Sequence, residues 1–72
     1  MSAFTLGQPV GFNHPAGPVR GTVVKVEQRA VLVRLHMAAG MPVTELKFTL
    51  RDDETYRQAG KGNRSPVLEV RK

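Results

Sequence analysis

Apolar runs recur along this chain at roughly ten-residue spacing, and each is cut off by Gly, Pro, Asn or Asp before it reaches the length of a helix. That punctuation leaves strands joined by turns. The alternation is cleanest over residues 45–51, where Leu46, Phe48 and Leu50 fall on one face and Glu45, Lys47, Thr49 and Arg51 on the other, the period-two pattern of a half-buried strand. Residues 21–28 hold Thr22-Val23-Val24-Lys25-Val26-Glu27 and predict a second strand, with Val24 and Val26 on one face and Lys25 and Glu27 on the other. Gln28-Arg29-Ala30 is a short connection to Val31-Leu32-Val33-Arg34-Leu35-His36-Met37, in which Val31, Val33, Leu35 and Met37 share a face opposite Leu32, Arg34 and His36. The two runs predict a hairpin.

Residues 4–12 end in Val10-Gly11-Phe12, with Val10 and Phe12 pointing the same way. Asn13-His14-Pro15-Ala16-Gly17-Pro18 reads as a loop, because its two prolines remove ladder donors. Ala38-Ala39-Gly40-Met41-Pro42 is another break. Beyond residue 51, Asp52-Asp53-Glu54 predicts an acidic turn and Thr55-Tyr56-Arg57-Gln58 a short strand returning along the previous one. Residues 59–66 predict a mobile basic loop, and Val67-Leu68-Glu69-Val70-Arg71 a closing strand. A chain of 72 residues is short for one domain, and burying only roughly 60% of its unfolded surface leaves little apolar material for a deep cavity. One all-β domain over residues 1–72 is expected, closed or nearly closed, since closure removes exposed edges.

The stretch Leu6-Gly7-Gln8-Pro9-Val10-Gly11-Phe12, followed by a loop and by Arg20-Gly21-Thr22-Val23-Val24-Lys25-Val26, resembles the opening of SH3-like barrels of the KOW and Tudor type. The resemblance covers about the first third of the chain, and Gly21-Thr22-Val23-Val24-Lys25-Val26 fits the Gly-x-Val-x-x-Val element of those folds. It implies a small SH3-like barrel of about five strands with short turns, engaged in binding RNA, ribosomal or transcription machinery, or peptides, without catalysis. The loop at residues 13–18 is less basic than KOW loops, and Phe4, Phe12, Phe48 and Tyr56 supply no evident counterpart of a Tudor aromatic cage. The plasmid-borne type of dihydrofolate reductase shares this size and fold, but its Val-Gln-Ile-Tyr pore motif is absent from the sequence.

Little in the chain points to chemistry. Cys is absent and His14 and His36 are the only histidines, too few ligands at no informative spacing for a metal, and no cofactor is expected. Asp52, Asp53 and Glu54 are adjacent in a polar turn, where they point apart and stay solvated. Ser2 and Ser65 lack a His and acidic partner at any informative spacing. Gly60-Lys61-Gly62-Asn63-Arg64-Ser65 is not a Walker loop, for the flanking pattern and following helix are missing. No enzymatic activity is expected. With no Cys, no basic and apolar leader at the N-terminus and no membrane-length apolar run, a soluble, unprocessed cytoplasmic protein is expected, without membrane association.

The charge is more informative. Lys and Arg total 11 against 6 Asp and Glu, a formal net charge of +5, which favours an anionic partner and also falls within what solubility alone asks of a small domain. Lys25, Arg34, Lys47 and Arg51 occupy outward positions of adjacent strands, and Arg57, Lys61 and Arg64 would extend that face through the basic loop. Such a face suits the phosphate backbone of RNA or DNA, with Tyr56 and His36 as rings for stacking on a base. Cross-strand pairing of Lys47 and Arg51 with Glu27 or Glu45 would instead give a mixed, solvated surface. The alternative is a protein-binding adaptor, or a small phage- or plasmid-type regulator acting on a larger host assembly, using the loop at residues 13–18 with Leu32 and Met41. Self-association through Val31-Leu32-Val33 is also open, with Arg29 and Arg34 as gatekeepers, and the oligomeric state is not fixed by the sequence.

Overall fold

A computed structural model of the chain describes residues 4–37, 40–62 and 64–71. Ala38 and Ala39 of the expected break, Asn63 of the expected basic loop, the N-terminal Met1, Ser2 and Ala3, and Lys72 lie outside the described residues. The strands are β1 (Pro9–His14), β2 (Gly17–Glu27), β3 (Ala30–Leu35), β4 (Glu45–Leu50), β5 (Tyr56–Gln58) and β6 (Glu69–Val70). They form one antiparallel sheet in the order β5-β4-β3-β2-β1-β6. This is an all-β fold: a meander curled into a half-barrel, with the last strand brought back beside the first. An isolated bridge between Arg57 and Val67, and the Leu68 N–H donating to Tyr56 O at 2.8 Å, draw the two ends of the sheet together. Among the described residues no helix is long and apolar enough to cross a membrane.

The core follows the alternation. Val10, Val23, Val31, Val33 and Phe48 are fully buried and are joined by Phe4, Phe12, Tyr56 and Leu68, with Val19, Leu35, Leu46 and Leu50 packed around them. Each large side chain removed from water in this way contributes about 1.5–3 kcal/mol before conformational entropy is counted. Phe4 precedes the first strand and stands edge-on to Tyr56, ring centres 5.0 Å apart, while Phe12 and Phe48 meet at 5.3 Å. Both are favourable aromatic arrangements. Tyr56 is therefore a core residue, and the exposed ring expected for base stacking at this position is not there.

Two expectations about β2 are corrected. The segment at residues 13–18 is a tight hairpin rather than an open loop: Asn13 is paired with Pro18 and His14 with Gly17, leaving only Pro15 and Ala16 to turn. Gly17 has φ 131, a left-handed value open to a residue without a Cβ. Pro18 is tolerated because β3 reaches along β2 only to Gly21, so this part of β2 has a strand on one side only. The second correction concerns the faces. Val23 pairs with Val33, but Lys25 pairs with Leu32, which makes Val24 the extra residue of a β-bulge. Val23 is the buried residue and Val24 is only half-buried, while Val26 is paired with Val31 and is itself 39% exposed. On the far side of the bulge Gly7 N–H donates to Val23 O at 2.8 Å and Val23 N–H donates to Gln8 O at 3.0 Å, so the N-terminal segment takes up the backbone groups of Val23.

Gly21 shows why the sheet closes tightly here. A Cβ on it would lie 2.6 Å from both Arg34 O and Val33 Cγ1, so only glycine lets β2 and β3 approach at this point.

Candidate functional site

The convex face of β2, β3 and β4 is set by the register. Thr22, Arg34 and Glu45 form one row across the three strands and Lys25, Leu32 and Lys47 the next, while Glu27 opposes Ala30. Val23, Val31, Val33 and Phe48, which alternate with these rows, are buried in the core, so the side chains of the rows project outward. The structure thus brings Lys25, Arg34 and Lys47 onto one surface. Arg34 donates from Nε and Nη2 to Glu45 Oε2, at 3.1 and 2.8 Å, and Lys47 Nζ stands 3.4 Å from Glu27 Oε1. Lys25 makes no ion pair among the described residues. Both pairs are solvent-exposed in large part and are worth only about 0–1 kcal/mol each.

Arg51 and Arg57 sit elsewhere. The β4 strand ends at Leu50 and the chain turns, with Arg51 N–H donating to Thr55 O and Glu54 N–H to Arg51 O. The Arg51 guanidinium sweeps back to donate to Thr49 Oγ1 at 3.1 Å, Gln58 O at 2.9 Å and Lys61 O at 2.7 Å. Arg57 Nη1 donates to Ser65 O, and its Nε is buried with no hydrogen-bond partner among the described residues. Ser65 Oγ adds a bond to Gly62 O at 2.7 Å. The described residues of the segment 59–66, expected as a mobile loop, are thus tied at Lys61 O and Ser65 O by Arg51, just past β4, and Arg57 of β5. Lys61 and Arg64 are exposed on it.

The outer face carries a further cation, outside the set expected from the sequence. Arg20 lies on β2 opposite Gly11, exposed between the half-buried Val19 and the buried Gly21. The alternation Val19, Gly21, Val23 carries Arg20 outward, and Pro18, which resembles a loop residue in the sequence, hides that this alternation belongs to the strand. His36 is beside it: His36 N–H donates to Arg20 O at 2.8 Å, and His36 Nε2 is hydrogen-bonded to Thr22 Oγ1 at 2.8 Å. His14 Nδ1 accepts from Ala16 N–H at 3.1 Å in the hairpin tip. Of the Val31-Leu32-Val33 run, both valines are buried and only Leu32, half-buried between Lys25 and Lys47, reaches the surface.

The acidic turn holds itself together. Asp53 Oδ1 accepts from the Thr55 hydroxyl at 2.5 Å and from Thr55 N–H at 3.1 Å. These bonds, the hydroxyl first and the amide second, hold its carboxyl below the usual aspartate value.

Compared with family models, with curated proteins and with solved structures, the chain matches none.

Proposed function

We propose that this chain is a non-enzymatic binding module, a small barrel of the KOW and Tudor type, that docks on the phosphate backbone of nucleic acid through the outer face of β2–β4. The observation that carries this reading is a set of cations fixed on one hydrogen-bonded surface: Arg20, Lys25, Arg34 and Lys47 stand there with only Glu27 and Glu45 among the described residues of these strands to offset them. A phosphate would replace a carboxylate at Arg34 and Lys47 with little loss, since exposed pairs are weak, and would meet Arg20 and Lys25 directly. Lys61 and Arg64 lie on the pinned loop as further contacts. The KOW-type reading draws support from Gly21, whose place in Gly21-Thr22-Val23-Val24-Lys25-Val26 has a steric reason in the approach of β3.

The test is fluorescence anisotropy of labelled nucleic acid over a salt series. Four phosphates neutralised on a duplex give a slope of log K against log salt of about −3.6. Affinity indifferent to salt, or no binding at low salt, overturns the proposal.

A protein-binding adaptor, or a small phage- or plasmid-type regulator of a larger host assembly, is the second reading. It is favoured by Met37, Met41 and Val43 in the β3–β4 connection, which are 40%, 55% and 74% exposed. A stoichiometric partner retained after nuclease treatment would turn the assignment this way.

A further inference from the structure

Resting on the nucleic-acid reading, we infer that the outer face continues past β2 onto β1, where Arg20 and Arg71 share one backbone phosphodiester above Gly11. Gly11 lies between the buried Val10 and Phe12, so the side on which its Cβ would stand is the outer one. It is paired with Arg20 of β2 on one flank and with Glu69 of β6 on the other. Directly opposed residues share a face of the sheet, their Cβ atoms about 5 Å apart, so Arg20 and Glu69 stand on either side of a bare stretch of backbone. Arg71 enters the same place from the end of the chain. Its N–H donates to Pro9 O at 2.9 Å, and its side chain lies over Gly11, where a Cβ would stand 3.0 Å from Arg71 Nε and 3.1 Å from Arg71 Cγ. The missing Cβ is the room that Arg71 occupies.

Both arginines have donors to give. Arg20 is exposed, and its guanidinium has no partner among the described residues. Arg71 spends Nη2 on Glu69 Oε1, at 3.3 Å, in a partly exposed pair that is worth little. A guanidinium carries five N–H donors in a rigid fork, so most of those on Arg71 stay open. Two like charges converging over one glycine repel each other, and Glu69 is the single carboxylate in the row to offset them. A phosphodiester resolves that repulsion, since it has one negative charge and a free oxygen for each fork, and such charge-assisted bonds are the strong class. The seat is continuous with the proposed face. His36 N–H donates to Arg20 O on the far side of β2, and Thr22 and Arg34 form the adjoining row, so a backbone lying on Arg34 and Lys25 reaches Gly11 without leaving the sheet.

The experiment measures the anisotropy of a labelled DNA duplex, over a salt series, with the full chain and with Arg20→Gln, Arg71→Gln and the double variant. Each neutralised phosphate contributes about −0.9 to the slope of log K against log salt on a duplex. If the two guanidinia share one phosphate, each single variant weakens binding about threefold or more but leaves the slope nearly in place, because the remaining arginine still neutralises that phosphate. The double variant then loses about 0.9 of slope. Arg71→Lys, which keeps the charge and gives up the fork, should also weaken binding at an unchanged slope, and it replaces Arg71→Gln if a thermal melt shows the latter unfolded. Slope losses of about 0.9 in each single variant and 1.8 in the double mean two separate phosphates and overturn the shared seat. So does a variant at Arg71 that binds like the parent chain. Either result leaves the electrostatic reading standing, whereas a parent chain that does not bind the duplex at low salt overturns both.

Discussion

Cations stand both on the outer face of β2–β4 and beside the segment at residues 59–66, and Arg51 and Arg57 at the second place are used in the opposite way to those on the sheet. On the sheet, Lys25 and Arg20 stand in solvent while Arg34 and Lys47 rest against exposed carboxylates. Around the 59–66 segment, Arg51 and Arg57 are half-buried and donate to main-chain oxygens of Gln58, Lys61 and Ser65. A guanidinium carries several donors in a fixed fork, so a short loop with no ladder of its own can be held by its carbonyls. The lesson is that a positive charge near a surface is a resource for a ligand only when its donors are not already engaged by the fold.

The largest test of this contrast is Arg51→Met. Losing the charged hydrogen bonds to Gln58 O and Lys61 O should cost about 2 kcal/mol, lowering the thermal midpoint by about 10 °C in a domain of this size. A midpoint unchanged within error would place Arg51 with the solvent-facing cations. Lys25→Glu should do the reverse: a stability change within about 0.5 kcal/mol and, under the proposed function, an affinity for duplex nucleic acid about tenfold lower, read by anisotropy. Smaller and opposite in sign is the Glu27→Gln, Glu45→Gln double variant. Freeing Lys47 and Arg34 should tighten binding about threefold at low salt, with the gain shrinking as salt rises; weaker binding would show that the two carboxylates position the cations rather than compete for them. The smallest effect belongs to Asp53. Its carboxyl is held low in the folded protein, so the stability it contributes is present above the ordinary aspartate value and is lost as pH falls through the lower folded value. Asp53→Asn keeps the acceptor and removes the titration, and thermal melts below about pH 4 should decline less steeply than those of the parent chain.

Much of the fold was legible because period-two alternation is a direct image of a pleated sheet. It placed β3 and β4, the hairpin from β2 to β3, the acidic turn at residues 52–54 and the return along β5, and it put Lys25, Arg34 and Lys47 outward. It failed where the backbone departs from the period. Val24 and Val26 look like partners on one face, but the bulge makes Val24 an extra residue and moves the core position to Val23. Pro18 looks like loop, yet lies in a strand with a neighbour on one side only. Tyr56 stands between two polar residues in sequence and is buried by Phe4, which is 52 positions away, a contact no local pattern contains. The alternation also sends Arg51 outward as the last member of β4, but the strand stops one residue earlier and the side chain follows the turn.

The bulge in β2 has a consequence for the length of the chain. Val24 is surplus to the pairing, so removing it sets Val23 beside Lys25 and leaves every later residue of β2 on its present side of the sheet. The same one-residue loss across the ladder, at Leu32, would carry Arg34 into the place of Val33, between Val23 and Leu46. Two deletions of equal size on neighbouring strands should therefore have unequal outcomes in a melting experiment, the first giving a shortened but folded protein and the second none. The strand carries its own point of tolerance to shortening.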